Sequence, residues 1–402
     1  MQRDNITVTL AVGAAPWQKT LAASLLTAGM LRRVLTSGPC LEIQDPNGNG
    51  SLLEIKRFPL NRIVNGVLWG AWRRLPKGWR PRSPVMVTVV MRDEVWSRWI
   101  PPCSVFHGWM GQSLASLAAA KRQGARTLVE NAGRHPGHFH KAPLEECERF
   151  KIKPSQYSPL LPTALIHRME REYEMCDRIV VPSNLAHGSF AEFGLAHKAT
   201  VVFTGVDQQF FSPRPQQPEE RPRRLFRACF AGRVELSKGA GYLLQAWKRL
   251  GLVNAELVLA GEVRPEMKEF LEAHADSSVR TLGFLTMQKL VELYRDSDLF
   301  VFPSVNEGLA QVLLEAMATG LPVVASELSG ACDCVSEGKE GFIVPARDVD
   351  KTARAIQWCY DHRDETRAMG RAARARIESQ FTLHHYNQRM IALYRELAGA
   401  AA

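Results

Sequence analysis

Short, nearly uninterrupted apolar runs recur along this chain, and most are followed by a helical pattern. ITVTLAVG (6–13), VMVTVVM (85–91), CSVFHGW (103–109), ARTLVEN (125–131), DRIVVPS (177–183) and ATVVFTG (199–205) read as strands. A second series comprises FRACFAGR (226–233), AELVLAG (255–261), SVRTLGF (278–284), DLFVFPS (298–304), LPVVAS (321–326) and EGFIVP (340–345). Strands that alternate with helices pair in parallel and bury both faces of their sheet. Between the two series lies SPRPQQPEERPRR (212–224), which has no periodicity and is rich in Pro and Arg, as a linker is. The expectation is an α/β chain with two Rossmann-like, doubly wound domains facing a central cleft. They span residues 1–211 and 225–380, joined at 212–224. FTLHHYNQRMIALYRELAG (381–399) reads as an amphipathic helix, and 381–402 is expected to cross back onto the first domain.

Two such sheets bind ligands at the carboxyl ends of their strands. A length of 402 residues suits two cores, and 46% apolar with 23% charged residues excludes a disordered chain. No run reaches the roughly 18 apolar residues of a membrane span. Asp4 precedes the first apolar run, which therefore reads as a buried strand and not a signal peptide. The eight cysteines are scattered, with Cys332 and Cys334 as CxC and no CxxC pair. That pattern gives neither a zinc site nor a disulfide framework, and the expected compartment is a reducing cytoplasm.

The net charge of +10 is uneven. Residues 1–100 hold 14 Lys/Arg against 6 Asp/Glu. In RIVNGVLWGAWRRLPKGWRPRSP (62–84), Trp69, Trp72 and Trp79 interleave with Arg73, Arg74, Lys77, Arg80 and Arg82. Tryptophan rings among cations suit an anionic membrane surface, with rings at headgroup level and charges on lipid phosphates. A basic surface helix with its tryptophans turned inward is the alternative. No nucleic-acid module accompanies the charge, so no nucleic-acid partner is expected.

The densest chemistry lies in SVNEGLAQVLLEAMATGLPVVAS (304–326). A strand ends, VNEGLA turns, and an apolar helix begins. The N–H groups of Gly308, Leu309 and Ala310 then stand at a helix start, where orphan donors and the helix dipole favour an anion. Glu307 just outside and Glu315 in the helix would accept hydrogen bonds from hydroxyls. A phosphate flanked by hydroxyls describes a sugar nucleotide lying across the helix start. Upstream, in CFAGRVELSKGAGYLLQAW (229–247), Arg233 and Lys238 sit on a loop after a strand and suit a diphosphate.

GRVELSKG, the EGLAQVLLE spacing, GLPVVAS, EGFIVPARD and CDRIVVPS…TGVDQQFF together resemble retaining glycosyltransferases of family 4 (glycosyl transferases group 1), which have the GT-B fold. The resemblance covers most of the chain and is strongest over 170–350. It implies that Arg233 and Lys238 hold the donor diphosphate and stabilise its leaving charge. It implies further that Glu307 contacts the donor sugar, that Gly308, Leu309 and Ala310 offer amides, and that Glu315 binds the ribose. Ala310 stands where relatives often carry glycine. On the acceptor side, His135 in ENAGRHPGHFH is the implied catalytic histidine, supported by Glu130 and Arg134, with His107 as its rival. The loop after Gly13 would line the same cleft.

DSD (296–298) looks like a metal-binding DxD, but Asp298 introduces a strand and reads as structural. DVD (348–350) reads as a helix cap. No metal or other cofactor is expected, because fixed cations and a helix start meet the leaving charge. The resemblance implies hexosyl transfer with retention, from a nucleoside diphosphate sugar to a hydroxyl. The basic tryptophan stretch adds a lipid-linked or membrane-surface glycan acceptor in cell-surface polysaccharide synthesis, on the inner face of the cytoplasmic membrane. The alternatives are a soluble small acceptor, a sugar-nucleotide epimerase and a non-catalytic sugar-nucleotide-binding scaffold.

Overall fold

The computed structural model describes residues 6–12, 16–36, 54–57, 70, 74, 84–153, 161–214 and 225–399. Most of the Trp/Arg-rich stretch 62–84, linker residues 215–224 and Gly13 lie outside the described residues.

Two parallel sheets organise the chain. The first has the order β3-β2-β1-β4-β5-β6-β7. Its strands are β1 (Val8–Val12), β2 (Leu31–Thr36), β3 (Glu54–Arg57), β4 (Val105–Trp109), β5 (Arg126–Glu130), β6 (Arg178–Val181) and β7 (Ala199–Val201). The second has the order β10-β9-β8-β11-β12-β13. Its strands are β8 (Phe226–Ala231), β9 (Ala255–Ala260), β10 (Val279–Gly283), β11 (Leu299–Phe302), β12 (Val323–Ser326) and β13 (Gly341–Val344). In each sheet the strand order reverses at an early strand, β1 or β8, which opens a crevice at the carboxyl ends.

Five helices position the site: α1 (Pro16–Thr27), α2 (Pro84–Ser97), α3 (Pro136–Arg149), α4 (Gln311–Ala318) and α5 (Leu383–Gly399). The segment 85–91 differs from its reading as a strand, because it opens α2. Thr88, Val89, Arg92, Asp93 and Trp96 are buried, whereas Val87, Val90, Met91 and Glu94 are exposed. That is a helical period, and tertiary burial overrides the β-branched composition. Asp93 then accepts from the Ala115 and Ser116 amides at 2.7 and 3.0 Å and pairs with Arg168. The strands β2 and β3, which the apolar pattern does not announce, extend the first sheet beyond β1.

Helix α5 belongs physically to the first domain. Tyr386, Met390, Leu393, Tyr394 and Leu397 share one apolar core with Val8, Leu10, Leu21 and Leu25. Helix α3 ties the domains together from the other side. Cys147 is buried in the core of the second domain. Glu146, fully buried, accepts from Arg347 Nε and from the Tyr242 hydroxyl, both at 2.6 Å. A buried carboxylate with two such donors is satisfied, so separating the domains must break both bonds together.

Candidate active site

The carboxyl ends of β8 and β11 build the second domain's half of the cleft. After β8 the chain passes Arg233 and Glu235 and makes one 3₁₀ turn, Leu236–Lys238. Gly239 ends that turn at φ 73°, and a Cβ there would lie 2.0 Å from the Pro303 carbonyl oxygen. Only glycine permits this approach, and it brings the Lys238 turn against the end of β11. Lys238 Nζ consequently lies 2.5 Å from Glu307 Oε1, which also accepts from Ser304 Oγ at 3.2 Å. Arg233 Nε stands 3.1 Å from Glu235 Oε2. Glu235 is buried, whereas Arg233 is half-exposed. The two cations read from the sequence as diphosphate ligands are thus each matched with a carboxylate. Glu235 and Ser304 were not singled out in the sequence, although both sit in the strand-to-loop segments that carry the motifs.

At the α4 start, the Gly308 and Leu309 amides have no hydrogen-bond partner among the described residues. Ala310 differs from expectation: its N–H donates to the Ser329 carbonyl at 3.0 Å. Of the three expected amides, Gly308 and Leu309 are the ones without a partner among the described residues. Gly308 also meets the first domain, where a Cβ would lie 2.7 Å from Gly133 Cα and 2.8 Å from the Ala132 oxygen. Its carbonyl accepts from Ser183 Oγ at 2.6 Å. The start of α4 and the loop after β5 are in backbone contact across the cleft.

Glu315, one turn into α4, is 7% exposed. Its carboxyl has no hydrogen-bond partner among the described residues, and burial raises its pKa to about 7. An unpaired buried carboxyl beside the cleft is a vacant acceptor for hydroxyl donors.

On the first-domain side, Glu130 ends β5 and is a hub. It accepts from Trp17 Nε1 at 2.8 Å, Gln18 Nε2 at 3.2 Å and the Tyr386 hydroxyl at 2.9 Å. Burial pushes its pKa up, but the His107 ring and the Trp17 and Gln18 donors outweigh this and hold it below the ordinary value. His107 is enclosed, with Nδ1 2.7 Å from the Tyr394 hydroxyl and Nε2 3.3 Å from Glu130 Oε2. The rival histidine is thus part of the framework that fastens α5 and α1 to the sheet.

His135 caps α3, its Nδ1 accepting from the Gly137 amide at 3.2 Å. Its ring stacks on Phe193 at 3.6 Å, and burial lowers its pKa to about 4. With Nδ1 accepting, the neutral ring carries its proton on Nε2. His135 is therefore a hydrogen-bond donor at neutral pH and cannot serve as a protonated acid there. Arg134 donates towards His138 Nδ1 at 3.0 Å, and burial lowers its pKa.

Asp296 pairs with Arg214 at 2.9 Å, and Asp298 accepts from the Arg227 amide at 2.9 Å. Both lie at the amino end of β11, at the pole opposite the cleft. Asp348 accepts from the Lys351 amide as a helix cap.

Residues 226–362 match the profile of the family Glycosyl transferases group 1. A D-inositol 3-phosphate glycosyltransferase of Corynebacterium urealyticum is 30% identical over 223 residues, covering 50% of this chain and 52% of that protein. A putative colanic acid biosynthesis glycosyltransferase, WcaL of Escherichia coli K12, is 29% identical over 235 residues, covering 55% of each. The matches span about half the length of these curated relatives. The Anabaena protein HepE, solved in complex with UDP-glucose, superposes with a TM-score of 0.63 at 16% identity, over 97% of this chain and 99% of that one. The match to the group 1 profile falls within the second domain, and the two facing Rossmann-like domains have the GT-B fold.

Proposed function

We propose that this chain is a retaining glycosyltransferase that moves a hexosyl unit from a nucleoside diphosphate sugar to a hydroxyl of a lipid-linked or membrane-surface glycan. The observation that carries the reading is the Lys238–Glu307 contact at 2.5 Å beside the open Gly308 and Leu309 amides. A cation, a helix start and an acceptor for sugar hydroxyls converge there within one side-chain reach.

In this reading Arg233 and Lys238 take the diphosphate oxygens, and Gly308 and Leu309 donate to the same group. Together they stabilise the leaving charge without a metal. Lys238 exchanges its carboxylate partner for phosphate, which frees Glu307 to accept from the donor sugar. Glu315 takes the ribose hydroxyls. Retention in this reading proceeds by same-face attack, which needs no positioned carboxylate nucleophile. His135 contributes an Nε2–H donor. Closure against α3 excludes water and limits donor hydrolysis. A glycan product is supported by the colanic acid relative, and a nucleoside diphosphate donor by HepE.

The test is incubation with a panel of UDP-, GDP-, ADP- and TDP-sugars, with release of nucleoside diphosphate as the readout. Slow release from one donor, accelerated by glycan acceptors and with retained anomeric configuration by NMR, is the expected result. Binding without any turnover would instead make the chain a scaffold.

A further inference from the structure

Three neighbouring strands of the first sheet, β1, β4 and β5, end at the cleft with groups that the donor does not use. Trp109 is the last residue of β4 and Glu130 the last of β5, while Trp17 and Gln18 occupy the first turn of α1 after β1. The Trp17 and Trp109 rings stand with centroids 6.3 Å apart and planes tilted by 47°. Both are only half-buried. Their setting is fixed from below, because Glu130 holds the Trp17 indole N–H and the Gln18 amide N–H, and is itself held by Tyr386. Gln18 is 2% exposed, yet its Oε1 is buried without a hydrogen-bond partner. A buried acceptor left open is unfavourable unless a ligand supplies the donor.

The chain continues from Glu130 through Asn131 and Ala132 to Gly133, which touches the backbone of Gly308. The indole pair therefore stands at the same end of the first sheet as the loop that meets the start of α4. Tilted indole faces offer a surface for an apolar C–H face. An open amide oxygen beside them takes an O–H group. The ionised Glu130 beneath disfavours a phosphate at this position. A pyranose ring, with one C–H face and a rim of hydroxyls, satisfies all three conditions. An inorganic anion or a bare lipid phosphate satisfies none of them.

We propose that Trp17, Trp109 and the Gln18 amide oxygen form the subsite for the terminal pyranose of the acceptor, so that the acceptor is a glycoside. This rests on the transferase reading above and narrows its acceptor. Trp17 and Trp109 bind the ring, and Glu130 is a positioning residue, since its lone pairs are already taken by protein donors.

The experiment uses the full chain saturated with whichever nucleoside diphosphate stabilises it. Methyl glycosides of glucose, galactose, mannose and N-acetylglucosamine are titrated while tryptophan emission and melting temperature are followed. At least one glycoside should give a saturable change. Trp109→Ala should weaken it by about tenfold, the scale of one lost ring contact, whereas Trp109→Phe should keep most of it. Gln18→Leu, which keeps the shape and removes the acceptor, should also weaken it. Retained nucleotide stabilisation in each variant reports that the fold and donor site are intact. The proposal is overturned if the nucleotide-bound wild type responds to no glycoside, or if its response survives both Trp109→Ala and Gln18→Leu. Failure of the transferase reading would look different: no nucleotide would stabilise the wild type and no donor would turn over.

Discussion

Replacing Glu315 by Gln should stabilise the ligand-free protein above neutral pH while weakening its hold on nucleotide. The carboxyl is buried in α4 without a described hydrogen-bond partner, and burial raises its pKa from 4.5 to about 7. Below pH 4.5 the group is protonated in both folded and unfolded chains and contributes no pH dependence. Between 4.5 and 7 the unfolded chain releases the proton while the folded chain keeps it, so stability falls as pH rises. Above 7 both are ionised and the loss is complete. At 1.36 kcal/mol per pKa unit, a shift of this size amounts to about 3 kcal/mol. Gln cannot ionise and escapes this loss, while its unpaired amide carries a burial cost like that of the protonated acid. Denaturant unfolding of wild type and Glu315→Gln at pH 5 and pH 8 measures the difference directly. Because part of the loss has already occurred at pH 5, the variant's advantage should be about 2.5 kcal/mol greater at pH 8 than at pH 5. An advantage that does not change with pH would refute the reasoning, because it would mean that the carboxyl is ionised and solvated in the folded chain. Nucleotide binding should also release protons from wild type near pH 7, as ribose hydroxyls stabilise the ionised form, and should release fewer from the variant.

Lys238→Ala should lose about 2–4 kcal/mol of transition-state stabilisation, on the scale of a removed oxyanion donor. Donor turnover within a few-fold of wild type would remove Lys238 from the mechanism. EDTA should leave the transfer rate unchanged, and a rate restored only by added divalent ions would contradict the metal-free reading. Replacing Arg73, Arg74, Arg80 and Arg82 together by Ala should weaken flotation with anionic vesicles and leave nucleotide-induced stabilisation intact. Unchanged flotation would discard the membrane reading of that stretch.

Legibility from sequence tracked how local each feature is. In the second domain, buried strands and their following helices carry their own patterns. Arg233 and Glu307 lie just past the strand ends at Ala231 and Phe302, and Lys238 and Glu315 follow in the turn and the helix that those strands lead into, where this architecture places ligands. The first domain hid more. Its α2 begins with a β-branched run that mimics a strand, and only the burial of Arg92, Asp93 and Trp96 at helical spacing reveals the true period. Hydrogen bonding at Ala310 was not readable either, because its partner Ser329 comes from a loop after another strand. His107 and Glu130 were both noticed as polar groups ending strands. That they are joined through α5, more than 250 residues away in sequence, is a tertiary fact that no local pattern carries.

In the proposed donor site the pairing of charges has a consequence for selectivity. Arg233 faces Glu235 and Lys238 faces Glu307, so the site is close to neutral before any ligand arrives. A bare cationic hole would attract any phosphate by charge alone. Here an anion must displace carboxylates from their cations, and that exchange is unfavourable unless the displaced groups find new partners. Inorganic phosphate offers Glu307 at most its own P–O–H proton and has no hydroxyls for Glu315 at the same time. A sugar nucleotide offers hydroxyls to Glu307 and Glu315 at the same moment that its diphosphate takes Lys238, Gly308 and Leu309. In the proposed reading the carboxylates therefore discriminate between a phosphate and a phosphate that carries a sugar, which is the choice that such a transferase must make.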